Sequence, residues 1–143
     1  MKLVGRGFAF DDLQVGFRFR THRRTITEAD RASFIGLSWL TEELFAVDEE
    51  HKPRLVPGAL VYSFAEGLLL PTMQDTGLAF LNCTLDVKGP TVVGDTIHVE
   101  CEVIEHRLTS KGDRGLVRFA NQVVNQRGDV VLEYNPLRLL KRK

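Results

Sequence analysis

The chain has 143 residues, a length that suits a single domain spanning 1–143 with its own hydrophobic core. Its 19 lysines and arginines are matched by 19 aspartates and glutamates, so the formal net charge at pH 7 is zero. We therefore expect neither nucleic acid nor a membrane surface as a partner, because both favour chains with an excess of basic residues.

The cysteines and the first residues of the chain bear on its cellular compartment. Cys83 and Cys101 stand far apart and lack the spacing of paired metal ligands, which predicts two free thiols and no metal site. The opening segment MKLVGRGFAFDD contains no apolar run long enough for a signal peptide. Together these features predict a cytoplasmic protein.

The first predicted elements are a strand and a capped helix. The alternation in GFRFR predicts a strand that continues to about Ile26. Thr27 and Asp30 then have the spacing of a capping box, which predicts a helix over about residues 28–38. The side chains expected to face inward are those of Phe34, Ile35 and Leu37.

The segment VPGALVYSFAEGLLLP has the length and composition of a buried helix. Pro57 suits a first helical turn, where its missing N–H is no loss, and Pro71 is expected to end the helix. A helix that is apolar nearly all round packs inside a domain, and this one is too short to span a membrane. Its few polar residues lie on one narrow stripe formed by Tyr62, Ser63 and Glu66.

The second half of the chain has the pattern of an antiparallel sheet. Four strands separated by short turns are predicted within residues 79–90, 94–108, 116–126 and 130–140. An antiparallel sheet commonly has one face to bury. The apolar helix is expected to fill that face, so that the sheet wraps around it.

Parts of the sequence also resemble a known family, the MaoC-like dehydratases and hydratases. The resembling segments are RTITEADRASFIGLS (24–38), RLVPGALVYSFAEGLL (54–69) and VKGPTVVGDTIHVECEV (87–103). The similarity runs from about Gly16 to Leu139 in family order. It implies an α+β hotdog domain, in which an antiparallel sheet wraps a long central helix, here at about residues 58–70.

The resemblance also implies a function. Active members of the family hydrate a trans-2-enoyl thioester of coenzyme A or acyl carrier protein to the 3-hydroxyacyl thioester, or run the reverse reaction. We therefore expect a protein that handles acyl thioesters, with coenzyme A as part of the substrate and no separate cofactor.

The catalytic signature of the family is altered in this chain. Family members carry S-G-D-x-N-P-x-H, in which the Asp and the His act on water and on the α-proton of the substrate. The segment SWLTEELF has Leu40 at the Asp position and Phe45 at the His position, and neither side chain can transfer a proton. Glu42 and Glu43 are the candidate catalytic substitutes, although an ordinary acidic first helical turn explains them too.

The start of the long helix is the predicted substrate-binding site. Where the family usually has His-Gly, this chain has Pro57 and Gly58. Unpaired N–H groups at a helix start carry the positive end of the helix dipole and suit the oxyanion of a thioester carbonyl. The alternative is that Gly58 only allows close packing. Ala59 and Tyr62 complete the predicted substrate-binding set.

Glu66 is the third candidate catalytic residue. A second hotdog group, the acyl-CoA thioesterases that resemble 4-hydroxybenzoyl-CoA thioesterase, has a carboxylate eight residues after the helix-starting glycine, and Gly58 and Glu66 match that spacing. Eight helical residues span about 12 Å, so both groups could reach one substrate only across a dimer with antiparallel helices. The structural alternative is that Glu66 forms hydrogen bonds with Tyr62 and Ser63 at an interface, or reaches solvent.

Three functions stay open at this point, and with them whether the chain is an enzyme. It resembles a hydratase or dehydratase, it matches the thioesterase spacing, and it could also be a non-catalytic thioester-binding protein or subunit. A homodimer or a dimer of dimers is expected, because the edge strands of a small sheet need covering. His22, Arg23 and Arg24 form a basic cluster, expected at the surface, that could meet a coenzyme A phosphate.

Overall fold

Two helices and eight strands follow one another along the part of the chain that the structure describes. This computed structural model describes residues 1–41 and 54–143. The elements in chain order are a 3-10 helix (Phe10–Asp12), β1 (Arg18–Arg20), β2 (Arg24–Thr25), α1 (Glu28–Ser38), α2 (Gly58–Met73), β3 (Gly77–Asn82), β4 (Leu85–Val87), β5 (Thr96–Leu108), β6 (Arg114–Val124), β7 (Val130–Tyr134) and β8 (Leu137–Lys141).

The strands form one antiparallel sheet built on the long hairpin of β5 and β6. In its register Val99 lies opposite Val123, and Cys101 lies opposite Asn121. The turn of this hairpin needs a positive φ, which Gly112 supplies at 71°. Strands β1 and β2 pair with β5, while β7 and β8 both pair with β6. One edge of the sheet is formed by β1 and β2, and the opposite edge is formed by β4 on β7 and β3 on β8.

Helix α2 fills the inner face of the sheet, as its composition predicted. Leu60, Val61, Ala65 and Leu69 are all buried in one core cluster with side chains of β5, β6 and β7. Burying an aliphatic side chain of this size contributes roughly 1.5–3 kcal/mol. The sheet therefore wraps the helix, and the predicted antiparallel arrangement is confirmed.

The predicted end of α2 at Pro71 is wrong, since the helix continues to Met73. Pro71 has no N–H to donate to the carbonyl of Gly67, and it lies only two residues before the last helical residue. Beyond Pro71, the remaining carbonyls find donors from another part of the chain. The N–H of Phe8 donates to Thr72 O at 2.8 Å, and that of Gly7 donates to Gln74 O at 2.9 Å.

Several predicted strands are divided in the structure. The strand expected up to Ile26 is interrupted at residues 21–23, where the N–H of Val99 donates to Thr21 Oγ1 at 3.0 Å instead of to a backbone carbonyl. The strand expected over 130–140 is interrupted at residues 135 and 136, because Pro136 has no N–H to offer. The strand expected over 79–90 is divided into β3 and β4, since its two parts pair with β8 and β7 respectively.

Helix α1 has the predicted bounds and the predicted capping box. Thr27 Oγ1 accepts the N–H of Asp30 at 3.1 Å, and a carboxylate oxygen of Asp30 accepts the N–H of Thr27 at 2.9 Å. Ile35 is buried as expected, but Leu37 is 86% exposed, so its predicted inward orientation is wrong. Two residues of helix turn the side chain by about 200°, and the buried stripe instead includes Arg31.

Candidate functional site

A groove opens beside the first turn of α2. It has a volume of about 350 Å³ and is walled by the segment before α2, the loop after β4, and β7. Its lining is apolar or glycine except at Lys88 and Thr91. Such a groove suits a ligand with an apolar chain and one electron-rich polar group.

The first turn of α2, beside this groove, carries two unpaired donors. The N–H groups of Leu60 and Val61 both donate to the carbonyl of Pro57, at 3.0 and 3.3 Å. Within residues 1–41 and 54–143, the N–H groups of Gly58 and Ala59 have no hydrogen-bond partner. A helix N-terminus carries about half a unit of positive charge, so these two groups favour a negative oxygen.

Gly58 is also required by packing. A Cβ at this position would lie 3.1 Å from the Cγ2 methyl group of Val87, across the groove. That contact would force a shift of a few tenths of an ångström in the Val87 side chain. The two interpretations of Gly58 are therefore compatible, because the same missing side chain permits close packing and leaves the N–H accessible.

The chain that leads into α2 is held by a buried arginine. Arg31 is 3% exposed, and its Nε donates to the carbonyl of Leu55 at 2.9 Å. Its Nη1 also contacts Glu28 Oε1 at 3.2 Å, and Arg54 contacts the same carboxylate oxygen. This arrangement ties α1 to the residues immediately before Gly58 and so fixes where α2 begins.

Glu66 forms an ion pair with the sheet. Its Oε2 lies 2.7 Å from Arg138 Nη2 on β8, and the two side chains are 22% and 7% exposed, respectively. The Arg138 guanidinium also lies 5.3 Å from the ring centroid of Phe80. Ser63 does not join this group, since its Oγ donates to the carbonyl of Ala59 at 2.8 Å. The carboxylate is therefore charge-compensated, and only its Oε1 has no partner among the described residues.

Several proton-holding groups surround this ion pair. The ring of Tyr62 meets that of Tyr134 edge-on, with centroids 5.1 Å apart. Burial, reinforced by the Glu66 carboxylate, raises the pKa of both tyrosines, and burial raises the pKa of Cys101 to about 12. These groups keep their protons at neutral pH. The Tyr134 hydroxyl and Asn121 Oδ1 are buried and have no hydrogen-bond partner within residues 1–41 and 54–143.

Comparison with solved structures places this geometry among known proteins. No protein-family profile and no curated protein sequence matches the chain. The MaoC-like dehydratase from Rhodospirillum rubrum is 26% identical with a TM-score of 0.82, over 96% of this chain and 99% of that one. The R-hydratase from Pseudomonas aeruginosa in its unliganded form is 25% identical with a TM-score of 0.76, over 96% and 88% of the two chains.

A third structure bears on the fold. A protein from Mycobacterium tuberculosis with a double hotdog fold is 22% identical with a TM-score of 0.80, over 99% of this chain and 46% of that one. The structural neighbours of this chain are MaoC-like dehydratases and hotdog-fold proteins. The chain is a single hotdog-fold domain.

The predicted site residues of this hotdog domain fall into two groups along α2. Gly58 lines the groove and Ala59 follows it in the same first turn, whereas Tyr62 and Glu66 lie farther along the helix, against β7 and β8. Glu42 and Glu43 lie outside the described residues, so their catalytic role stays a prediction. The roles of Gly58, Ala59, Tyr62 and Glu66, which the structure does describe, also stay predictions.

Few features of the sequence pointed to the arginines that contact these groups. Arg138 lies in a strand segment where alternation favours neither side chain direction, and its partner Glu66 is distant in sequence. Arg31 sits in an amphipathic helix, where an arginine is normally assigned to the exposed face. No group of three or more His, Cys, Asp or Glu side chains within residues 1–41 and 54–143 could hold a metal ion. Neither α1 nor α2 is long and apolar enough to cross a membrane.

Proposed function

We propose that this hotdog domain handles acyl-CoA thioesters, as an enzyme of the MaoC-like dehydratase and enoyl-CoA hydratase type. The observation that carries the proposal is the pair of N–H groups at Gly58 and Ala59, which have no partner among the described residues and lie in the first turn of the hotdog helix, beside the apolar groove that Gly58 lines. The 25–26% identity to an R-hydratase and a MaoC-like dehydratase over nearly the whole chain supports it.

The chemistry follows from the charge that hydration develops. Water adds to C3 of the enoyl thioester, and the electron pair of the double bond moves onto the thioester oxygen as an enolate. Two N–H donors directed at that oxygen stabilise it, and protonation at C2 then gives the 3-hydroxyacyl thioester. The base that takes the proton from water would come from Glu42, Glu43 or Glu66, as the sequence predicts.

Crotonyl-CoA tests the proposal with two readouts, loss of enoyl absorbance for hydration and release of free thiol for hydrolysis. The variant Gly58→Ala places a methyl group in the groove, and we expect the hydration rate to fall about tenfold or more, equivalent to about 1.4 kcal/mol. Gly67→Ala is the matched control, because Gly67 is exposed on the same helix and a Cβ there meets nothing within 4 Å. Equal rates in the two variants would contradict the role of the Gly58 donor.

The alternative is an acyl-CoA thioesterase in which Glu66 acts on the thioester. It is favoured by the free Oε1 of Glu66, held in place by the contact between Oε2 and Arg138. Glu66→Gln keeps the shape and removes the base, so a catalytic Glu66 predicts lost thiol release in a variant that still folds. A structural Glu66 predicts a lower melting temperature with retained activity. Glu102→Gln, on the exposed side of β5, is the control.

A third possibility is a non-catalytic thioester-binding protein, or one subunit of a heteromer whose partner supplies the Asp and His. Retained binding of coenzyme A with no signal in either assay would favour this function. The predicted compartment stays the cytoplasm.

The proposed assembly is a homodimer or a dimer of dimers formed through the outermost strands. All six residues of β3 are exposed, and large apolar side chains are exposed along β3 and β4 at Leu78, Phe80, Leu81, Leu85 and Val87. An open, apolar edge of this kind favours pairing with a second copy. Sedimentation at micromolar concentration should give a dimer that Leu81→Arg dissociates. Leu37→Arg, an exposed leucine on α1, should leave the dimer intact.

A further inference from the structure

A second groove lies at the opposite end of α2 from Gly58. It has a volume of about 630 Å³ and is open to solvent, between the N-terminal segment, the connection from β1 to β2, and the last turns of α2. The basic side chains in its lining are those of Arg6, Arg20, Arg23, His22 and His98. No carboxylate lines it within residues 1–41 and 54–143.

Most of the positive charge in this groove is uncompensated. Arg20, His22 and Arg23 form no ion pair within the described part of the chain and are all exposed. Arg6 contacts Asp75 at 3.1 Å, and His98 contacts Glu100 at 2.8 Å, so these two have partners outside the groove. Because the whole chain is electrically neutral, the concentration of cations here is local.

An extra residue in the edge of the sheet brings these side chains together. Arg20 lies opposite Glu100 and Arg24 opposite Ile97, so four steps on one strand match three on the other. The hydroxyl oxygen of Thr21 accepts a hydrogen bond from the N–H of Val99, and the chain forms a bulge at this point. Bulges re-aim side chains and occur often beside binding sites. Arg24 is directed elsewhere, 3.6 Å from the centroid of the Phe64 ring, and does not line the groove.

The end of α2 does not offset this positive charge. The C-terminus of a helix normally presents carbonyl oxygens that repel anions. Here the carbonyls of Thr72 and Gln74 accept the N–H groups of Phe8 and Gly7. The helix end is thereby closed by the N-terminal segment, and the arginines set the local potential.

We propose that this groove, defined by Arg6, Arg20, His22 and Arg23, binds the phosphate groups of the thioester's carrier. The proposal rests on the proposed function, because thioester carriers supply a phosphorylated ligand whose reacting end is far from its phosphates. Arginine forks suit phosphate oxygens. In coenzyme A the phosphates are a diphosphate and a 3′-phosphate, while phosphopantetheine carries a single phosphate.

The test uses titration calorimetry with ligands that contain no thioester. We expect coenzyme A to bind, the double variant Arg20→Gln/Arg23→Gln to weaken binding about tenfold, and added salt to weaken wild-type binding. Arg107→Gln, an exposed arginine on β5 away from the groove, is the control and should bind as the wild type does. Thermal melting of each variant checks that the fold is retained.

Other ligands identify which phosphate is bound. Weaker binding of dephospho-coenzyme A assigns the groove to the 3′-phosphate, and equal binding assigns it to the diphosphate. Binding of phosphopantetheine alone, lost in the double variant, assigns the groove to the phosphate that an acyl carrier protein presents. Coenzyme A and phosphopantetheine binding that is unchanged in the folded double variant, or absent in the wild type, would overturn the proposal.

The calorimetric result is separable from the proposed function. Turnover of crotonyl-CoA with unchanged coenzyme A binding in the double variant would refute the groove and leave the function standing. Arginine-dependent binding without turnover would refute the catalysis and leave the groove standing.

Discussion

The two halves of helix α2 lie in chemically different surroundings. The first half, from Gly58, borders an apolar groove and carries unpaired N–H groups but no charged side chain. The second half carries Glu66, paired with Arg138, and ends where the N-terminal segment donates N–H groups to its last carbonyls.

This difference gives one helix two kinds of surface. At the first half, binding would depend on backbone donors and on the absence of a side chain. At the second half, every buried charge has a partner within the fold, and the exposed cations lie at the groove beyond it. Changes to buried groups in the second half should therefore disturb stability, while changes at Gly58 should disturb activity. Four measurements test this contrast.

The largest expected effect concerns the thiol buried beneath α2. Because burial raises the pKa of Cys101 to about 12, from 9.0 in a free thiol, its thiolate fraction at pH 8 should fall about a thousandfold. We expect alkylation of Cys101 by iodoacetamide to be slower by at least that factor in folded protein than in urea, measured by peptide mass spectrometry. Similar alkylation rates in the folded and unfolded states would show that the Cys101 thiol is accessible to solvent in the folded protein, which contradicts its burial.

The same shift has a pH consequence with a defined sign. The unfolded thiol loses its proton as the pH rises above about 9, whereas the folded thiol keeps it until about pH 12. The unfolded state then binds fewer protons, so the contribution of Cys101 to stability is present below pH 9 and is lost as the pH rises above it.

The second effect concerns the ion pair. Glu66→Leu removes the carboxylate that pairs with Arg138, whose side chain is only 7% exposed, and we expect a loss of about 3 kcal/mol in the free energy of unfolding. Urea denaturation measures it. The double variant Glu66→Leu/Arg138→Leu should recover most of the loss, because neither charge is then left unpaired.

A surface pair provides the control for that experiment. Glu133 lies 3.8 Å from Lys88, and both side chains are more than a third exposed. Glu133→Leu should change stability by about 1 kcal/mol or less. A loss in Glu66→Leu no larger than in Glu133→Leu would contradict a structural role for the buried pair.

The third effect concerns the end of α2. A Cβ at Gly7 would lie 2.4 Å from the carbonyl carbon and oxygen of Thr72, which are backbone atoms and cannot turn away. Gly7→Ala must therefore displace the segment whose N–H groups donate to the carbonyls at the helix end, and we expect a loss of about 2 kcal/mol in the free energy of unfolding. Unchanged stability would mean that this segment contributes little to closing the helix.

The smallest effect is its matched control. Gly36 lies in α1, is exposed, and a Cβ there meets nothing within 4 Å. Gly36→Ala should stabilise the protein by about 0.5–1 kcal/mol, because alanine loses less backbone entropy in a helix. A destabilised Gly36→Ala would show that helix propensity does not govern this position.

The elements that were predicted correctly are those that depend on residues close together in the sequence. The bounds of α1 followed from Thr27 and Asp30, because a capping box depends on side chains three residues apart. The buried character of α2 and the alternation of β5 also followed from the sequence, since hydrophobic periodicity reports which face is covered. The exposure of Leu37 on α1 could not be predicted from the sequence. The buried face of this helix contains Arg31, so the polarity of its residues does not show which face is buried.

The sequence by itself determined a hydrophobic helix, a run of antiparallel strands and a glycine at the helix start. The tertiary structure decided what surrounds them. Arg138 meets Glu66 across 72 residues, Gly7 and Phe8 close the far end of α2, and the bulge at Thr21 gathers Arg20 and Arg23 at one groove. These contacts join residues distant in the chain, so no local spacing encodes them, and they exist only once the sheet has closed around the helix.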